Sequence, residues 1–142
     1  MDIAERQKKA EAGSCVAQSI LGISYLYGLD VEQDYALALR WLTLAAEQGG
    51  SRALLNLGKM YEEGWGVSLD WKRAFELYTR SAKRGELLAF IHLARMYRFG
   101  RGTDENAPAA VQWYQAAISA GEGTSLSAEL EEATGYVESH GA

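Results

Sequence analysis

Cysteine and histidine, two residue types often used as nucleophiles, general bases or metal ligands, are scarce in this 142-residue chain, which has one cysteine and two histidines. His92 has no nucleophile or acid–base partner that a motif identifies, so a hydrogen-bonding surface role is favoured over catalysis. Cys15 alone allows neither an internal disulfide nor a thiolate metal cluster. The sequence therefore predicts no catalytic residue, no metal site and no cofactor.

Charge is distributed unevenly along the chain. The net charge is −5 overall, with −3 over residues 1–49, +4 over 50–99 and −6 over 100–142. The acidic total argues against nucleic-acid binding, while the positive middle allows a local basic patch. The N-terminal residues lack the apolar core of a signal peptide, and no apolar run approaches the ~20 residues of a membrane span. We expect a soluble cytoplasmic protein without membrane insertion, or a periplasmic or secreted one whose leader was removed.

Three segments repeat at a 36-residue interval without a gap. The recurring positions are Ala17, Ala53 and Ala89; Leu21, Leu57 and Leu93; Tyr25, Tyr61 and Tyr97; and Gly28, Gly64 and Gly100. A period of this length is typical of a stacked array of supersecondary units, each of which buries its apolar face against its neighbours. Such arrays present extended curved surfaces, so the repeat favours a binding or scaffold role.

Each repeat reads as two helices joined by a short loop. Apolar residues recur every three or four positions, and the six predicted helices span 15–27, 35–48, 51–63, 71–84, 87–99 and 107–120. Ser51 and Asp70 are predicted helix N-caps, and Asp34 and Asn106 hold the place of Asp70 in the other two repeats. Gly64 is predicted to end the helix 51–63. The small residue Gly58 in mid-helix indicates a close crossing of two helices. Residues 124–138 leave the repeat pattern and predict a helix with one buried and one wet face.

The repeated pattern resembles the Sel-one-like repeat (SLR) family, which is related to the tetratricopeptide repeat. The similarity lies in Ala-x-x-x-Leu-Gly-x-x-Tyr-x-x-Gly-x-Gly-Val-x-x-Asp-x-x-x-Ala-x-x-Trp-Tyr-x-x-Ala-Ala-x-x-Gly, matched by residues 17–49, 53–85 and 89–121. Asp30, Thr103 and Ile118 depart from it. The resemblance implies an all-α fold, an α/α superhelical solenoid of TPR-like repeats with a C-terminal capping helix, whose first helices line the concave face. It also implies adaptor or scaffold roles in protein binding.

One repeat domain is predicted over residues 1–142. Its parts are an N-terminal half-repeat helix (1–13), repeat one (15–49), repeat two (51–85), repeat three (87–121) and the capping helix (124–140).

Positions on the predicted concave face are the candidate partner-binding residues. They are Tyr27, Asn56, Lys59, Glu63, His92, Arg95, Arg98 and Phe99, and the loop residue Trp65 is a further candidate. The cations Lys59, Arg95 and Arg98 would suit a carboxylate, so the predicted partner is a protein or peptide with an acidic or C-terminal segment. An ordinary solvated face is the alternative. Trp65 either anchors an interface or folds back on a neighbouring helix.

The leading interpretation is a non-enzymatic adaptor that binds a partner protein or peptide. A narrower alternative is a bacterial immunity or chaperone protein that occludes a cognate effector. An alternative of a different class is an enzyme, or a regulatory subunit of an enzyme complex. Ile20, Ile23, Leu26 and Tyr27 are unusually apolar for a concave face, so weak self-association through the N-terminal end is also expected.

Overall fold

Every regular element that the structure describes is an α-helix. It is a computed structural model, and it describes residues 2–121 and 126–140. The helices are α1 (Ile3–Glu11), α2 (Cys15–Tyr27), α3 (Tyr35–Glu47), α4 (Ser51–Glu63), α5 (Trp71–Lys83), α6 (Leu87–Phe99), α7 (Ala107–Ser119) and α8 (Ser127–His140). The all-α prediction is confirmed, and α2 to α7 end within one residue of their predicted bounds. Residues 124 and 125 of the predicted capping helix lie outside the described residues.

The second helix of each repeat begins at a side-chain cap. The side chains of Asp34, Asp70 and Asn106 each accept a hydrogen bond from the backbone N–H three residues later. The donor–acceptor distance is 3.0 Å in all three. Such a bond satisfies an N–H group that the first turn of a helix leaves without a partner. The predicted cap at Ser51 is wrong: Gly50 precedes α4 without a side-chain bond, and Ser51 is the first helical residue.

The first helix of each repeat ends where the backbone turns left-handed. Gly28, Gly64 and Gly100 have φ values of 68°, 71° and 66°, which the absence of a Cβ makes inexpensive. The loop needs a second left-handed residue two positions later in each repeat. Asp30 supplies it in repeat one with φ 62°, so this departure from the repeat pattern keeps the loop geometry.

The helices stack in sequence, each against the one before and the one after it. Repeats one and two share a core that includes Leu26, Leu42, Leu54 and Leu77, all fully or nearly fully buried. Burying one such side chain stabilises the fold by about 1.5–3 kcal/mol. Because residues of successive repeats contribute to one cluster, no repeat completes its core alone.

Helix α8 lies where the first helix of a fourth repeat would lie. It packs against α7, and Ala133 is buried with Ala94, Ala110 and Tyr114. Leu126, just before α8, is buried against Ile91 and Ala117. The helix therefore covers the apolar end of repeat three, as predicted for a capping helix.

The small residues in the first helices mark close crossings, as the sequence predicts. A Cβ added at Gly58 would lie 2.7 Å from Cε1 of Tyr78, and one added at Gly22 would lie 2.6 Å from Cγ of Leu42. Tyr78 is fully buried, so its ring has little room to move away. The absence of a side chain at Gly58 thus allows α4 and α5 to approach each other.

We predict that Gly58→Ala lowers the free energy of unfolding by about 1–3 kcal/mol, because overpacking against Tyr78 outweighs the better helix propensity of alanine. Gly135→Ala is the matched control. Gly135 also lies inside a helix, but nothing is within 4 Å of a Cβ built there. This variant should gain up to about 1 kcal/mol. Urea denaturation measures both, and equal stabilisation of the two variants would refute a close crossing.

Candidate binding surface

Successive first helices are joined side by side through their polar side chains. Tyr27 of α2 reaches Asn56 of α4, Glu62 of α4 faces His92 of α6, and Arg95 of α6 binds Glu129 of α8. We call the surface that these helices share the first-helix face. It contains the residues predicted for the concave side: Tyr27, Asn56, Lys59, Glu63, His92, Arg95, Arg98 and Phe99, with Trp65 in the loop after α4.

Both candidate arginines of α6 bind carboxylates of the chain itself. Arg95 grips Glu129 with two hydrogen bonds, of 3.0 Å from Nε and 2.7 Å from a terminal nitrogen. Arg98 forms an ion pair with Glu132 and lies 4.0 Å from Glu129. The hydroxyl of Tyr114 also donates to Glu129 over 2.8 Å. These arginines therefore hold α8 in place, and the sequence does not reveal this because the pairs are 34 residues apart.

The ionisation states of Glu129 and Tyr114 favour these contacts with α8. Hydrogen bonds from Arg95, followed by the bond from Tyr114, lower the pKa of Glu129 despite the opposing effect of burial. Burial, then the bond to Glu129, raises the pKa of Tyr114, so its hydroxyl remains a donor. A bidentate pair between guanidinium and carboxylate fixes geometry as well as supplying attraction.

His92 lies in a second cluster, which joins α4, α5 and α6. Its ring stacks on Tyr78 with 4.6 Å between ring centroids, and its Nδ1 is 3.6 Å from Oε1 of Glu62. The Tyr78 hydroxyl donates to the same oxygen over 2.9 Å. Burial raises the pKa of Tyr78, and the charge of Glu62 adds to this effect, so the phenol stays neutral. Burial would raise the pKa of Glu62, but His92 and Tyr78 together lower it. The cluster thus fixes His92 between helices.

Two further candidates are used inside the fold. Asn56 is only 6% exposed; its Nδ2 donates to the carbonyl of Arg52 and its Oδ1 accepts from the hydroxyl of Tyr27. It therefore positions Tyr27 and is not available to a partner. Trp65 folds back, stacking on Tyr35 at 6.3 Å between centroids and meeting Tyr27 edge to face at 6.4 Å.

The exposed part of the first-helix face combines aromatic rings with cations. Tyr27 is 42% exposed and Phe99 is 53% exposed. The ammonium of Lys59 lies 6.0 Å from the centre of the Tyr27 ring, and the guanidinium of Arg101 lies 5.4 Å from that of Phe99 and 5.3 Å from that of Trp71. Within residues 2–121 and 126–140, neither cation has a carboxylate oxygen within 4.0 Å.

The sequence places Arg101 just after the concave positions of repeat three, but neither Arg101 nor Trp71 was among the predicted partner-binding residues. A signal was present, since Trp65 and Arg101 are 36 residues apart, as are Tyr35 and Trp71. The same side-chain contact therefore recurs in successive repeats, first between two rings and then between a cation and a ring.

The apolar N-terminal part of the face is smaller than predicted. Leu26 is 1% exposed because it belongs to the shared core, so its assignment to the exposed patch is wrong. The remaining apolar surface is a groove of about 280 Å³ between α2 and the start of α4. Its lining includes Cys15, Val16, Ile20 and Ile23.

The repeat profile described as Sel1 repeat matches residues 15–50, 51–86 and 91–122, which is most of the chain. The chain belongs to the Sel1-repeat family. The predicted solenoid of Sel1-like, TPR-like repeats is confirmed, and proteins with these repeats generally serve as protein-interaction modules rather than enzymes. None of the described helices is long and apolar enough to cross a bilayer.

Solved structures of related repeat proteins agree in fold. A Sel1 repeat protein from Oxalobacter formigenes is 35% identical, with a TM-score of 0.79 and coverage of 92% of this chain and 98% of its own. The protective antigen c5321 of uropathogenic Escherichia coli, which displays an SLR fold, is 33% identical with a TM-score of 0.80, covering 85% of this chain and 26% of its own. Cysteine-rich protein B of Helicobacter pylori shares the fold at 20% identity, with a TM-score of 0.66 and coverage of 84% and 92%. Comparison with curated proteins gave no match.

We predict that Glu129→Gln loosens α8 and costs about 1–2 kcal/mol, because it weakens a partly exposed bidentate ion pair. Hydrogen exchange should accelerate in α8 and much less in α2 to α5. The pKa of Glu129 is lowered in the fold, so its contribution is present at neutral pH and is lost as the pH falls through that lowered value. The difference between wild type and variant should therefore shrink in acid.

Glu131→Gln is the control for this change, because Glu131 is an exposed neighbour on the same helix. It removes the same charge and should leave exchange in α8 nearly unchanged. Equal effects of the two variants would show that the side-chain contacts of Glu129 do not hold α8.

Proposed function

We propose that this protein is a non-enzymatic interaction module whose first-helix face, the concave face of the solenoid, binds an acidic segment of a partner protein. The observation that carries the proposal is the pair of cations Lys59 and Arg101, which lie beside exposed Tyr27 and Phe99 and have no carboxylate oxygen within 4.0 Å among residues 2–121 and 126–140. Family membership supports the general role, and the charge and aromatic content of this face support the kind of partner.

Arg101 is well suited to anchor a carboxylate. Its guanidinium carbon lies 5.4 Å from the centre of the Phe99 ring and 5.3 Å from that of the Trp71 ring. Stacking restrains the planar group and leaves its N–H edge available for two parallel hydrogen bonds. Less side-chain freedom is then lost on binding, which favours affinity. Aromatic and arginine side chains are also the residue types that most often dominate interface energies.

The chain itself contains an example of the proposed recognition. Arg95 and Arg98 bind Glu129 and Glu132 of α8, a helix that lies beside α6. Acidic side chains in a partner segment would meet Lys59 and Arg101 by the same chemistry, next to the part of the surface that α8 occupies. A role in occluding a cognate effector would use this same face.

Selection from a displayed library of random peptides tests the proposal, because such a library offers acidic, neutral and basic segments alike. We predict that the selected peptides are rich in Asp and Glu next to an apolar or aromatic residue. Lys59→Glu combined with Arg101→Glu should weaken their binding at least ~10-fold, because attraction becomes repulsion. Fluorescence anisotropy measures the affinity, which should also fall as salt rises.

Lys9→Glu combined with Lys83→Glu is the matched control. These lysines are exposed near the C-terminal ends of α1 and α5, and the control changes the net charge by the same amount. Binding should survive in the control. Selection of neutral or basic peptides, or equal weakening by both double variants, would contradict the proposed function.

The apolar groove between α2 and α4 supports the separate expectation of weak self-association. Val16 is 70% exposed at its edge, and Ile20 and Ile23 add apolar surface to its wall. We predict that sedimentation equilibrium detects concentration-dependent association, which Val16→Lys removes because it would bury a second cation in a groove that Arg52 already lines. A strict monomer at high concentration would refute it.

A further inference from the structure

The contact between one repeat and the loop of the next recurs with the period of the sequence. The first residue of the second helix lies against a loop residue of the following repeat, and we call this contact the repeat joint. At the first joint the rings of Tyr35 and Trp65 stack at 6.3 Å with 6° between their planes. At the second joint the Arg101 guanidinium lies 5.3 Å from the Trp71 ring centre. A large ring fills the space at both joints.

The third joint differs, because helix α8 and not the loop of another repeat follows there, and neither of the two equivalent positions carries a ring. The positions 36 residues after Trp71 and Arg101 are Ala107 and Val137. A groove of about 400 Å³ lies there, and its lining includes Glu105, Ala107, Pro108, Tyr136, Val137 and His140. Ala107 is itself buried, at 8% exposure, so its short side chain lies at the floor of this groove rather than on an open surface.

The opening continues toward the end of α6. A second groove of about 320 Å³ shares Glu105, Ala107 and Tyr136 with the first and extends to Arg98 and Phe99. Tyr136 is 45% exposed, and its ring stacks on His140 at 4.1 Å between centroids. Together the two grooves provide an aromatic and aliphatic wall of the size in which proteins bind small side chains or ligands.

The charges that line the grooves are not balanced. Arg98 is already paired with Glu132, whereas Glu105 has no cation within 4.0 Å among residues 2–121 and 126–140. A positive group beside the occupant would therefore find an unpaired carboxylate at the rim. The net charge of −6 over residues 100–142 also favours a positively charged occupant.

We propose that the third repeat joint is a binding site for an aromatic side chain of a partner peptide, with a lysine or arginine next to it in the partner sequence. The ring enters the groove beside Ala107 and lies against Tyr136 and Val137. The neighbouring cation pairs with Glu105. The site prefers a basic segment and is separate from the first-helix face, which suits an acidic one.

Three short probes test this site on the full-length, nitrogen-15-labelled protein by NMR titration. They are N-acetyl-Trp-Arg-amide, N-acetyl-Trp-Glu-amide and N-acetyl-Ala-Arg-amide. We predict saturable shifts of the Ala107, Tyr136 and Val137 amides with Trp-Arg, at least ~3-fold weaker binding of Trp-Glu because of repulsion by Glu105, and no saturable shifts with Ala-Arg. Glu105→Gln should remove most of the preference for Trp-Arg.

Two variants fill the groove from opposite walls. Ala107→Trp restores the ring of the second joint, and Val137→Trp introduces one at the position equivalent to Trp65; each should abolish the Trp-Arg shifts. Ala36→Trp adds the same side chain at an exposed helical site and should leave them intact. Having two variants keeps the test valid if one fails to fold. The proposal is overturned if Trp-Arg gives no shifts at these amides, if Ala-Arg binds equally well, or if the shifts persist in a folded groove-filling variant.

Discussion

The structure depends on apolar cores that neighbouring repeats build together. Leu26 and Leu42 of repeat one share a core cluster with Leu54 and Leu77 of repeat two, so each repeat supplies part of the core of its neighbour. Close helix crossings at Gly22 and Gly58 allow this sharing. Stability in such an array comes from the interfaces between neighbours, and the last repeat must therefore be covered by something other than a repeat.

Helix α8 provides that cover, and the means by which it is held determines what the surface can bind. Ala133 contributes the buried contact, while Glu129 and Glu132 attach the helix to Arg95 and Arg98. Both arginines are therefore engaged in ion pairs within the fold. Two other cations, Lys59 and Arg101, lie beside aromatic rings of the first-helix face. Within the described part of the chain, neither has a carboxylate oxygen within 4.0 Å. Because Arg95 and Arg98 are used to hold α8, the candidate binding surface lies around Lys59 and Arg101 instead.

The repeat joints show how small substitutions within a repeat create different surfaces on the same scaffold. A ring at the first residue of the second helix is covered by Trp65 in one joint and by Arg101 in the next. At the third joint the equivalent residue is Ala107, which lines a groove. Because the backbone geometry is kept by the caps and left-handed loop residues, side chains at these positions vary without disturbing the helices. Asp30 illustrates the tolerance, since it adopts the same positive φ as the glycines at its equivalent positions.

The 36-residue period and the 3.6-residue helical period were sufficient to predict the helices, the caps at Asp34, Asp70 and Asn106, and the crossing at Gly58. These features are local, or recur at a fixed interval, so residue type and spacing contain the information. Helical periodicity also placed the candidate residues on one face. It could not show which of them another helix covers.

Tertiary structure alone decided that Asn56 and Leu26 are buried, that Trp65 folds back on Tyr35, and that Arg95 and Arg98 pair with α8. Each of these features depends on a residue about 30 positions away or on packing by an adjacent repeat. The spacing of residues in the sequence does not show which residue makes that contact. The capping helix leaves the repeat pattern, so the period could not align Glu129 with Arg95. Availability of a side chain is a property of the assembled stack, because burial and pairing are settled only when the neighbouring helices are in place.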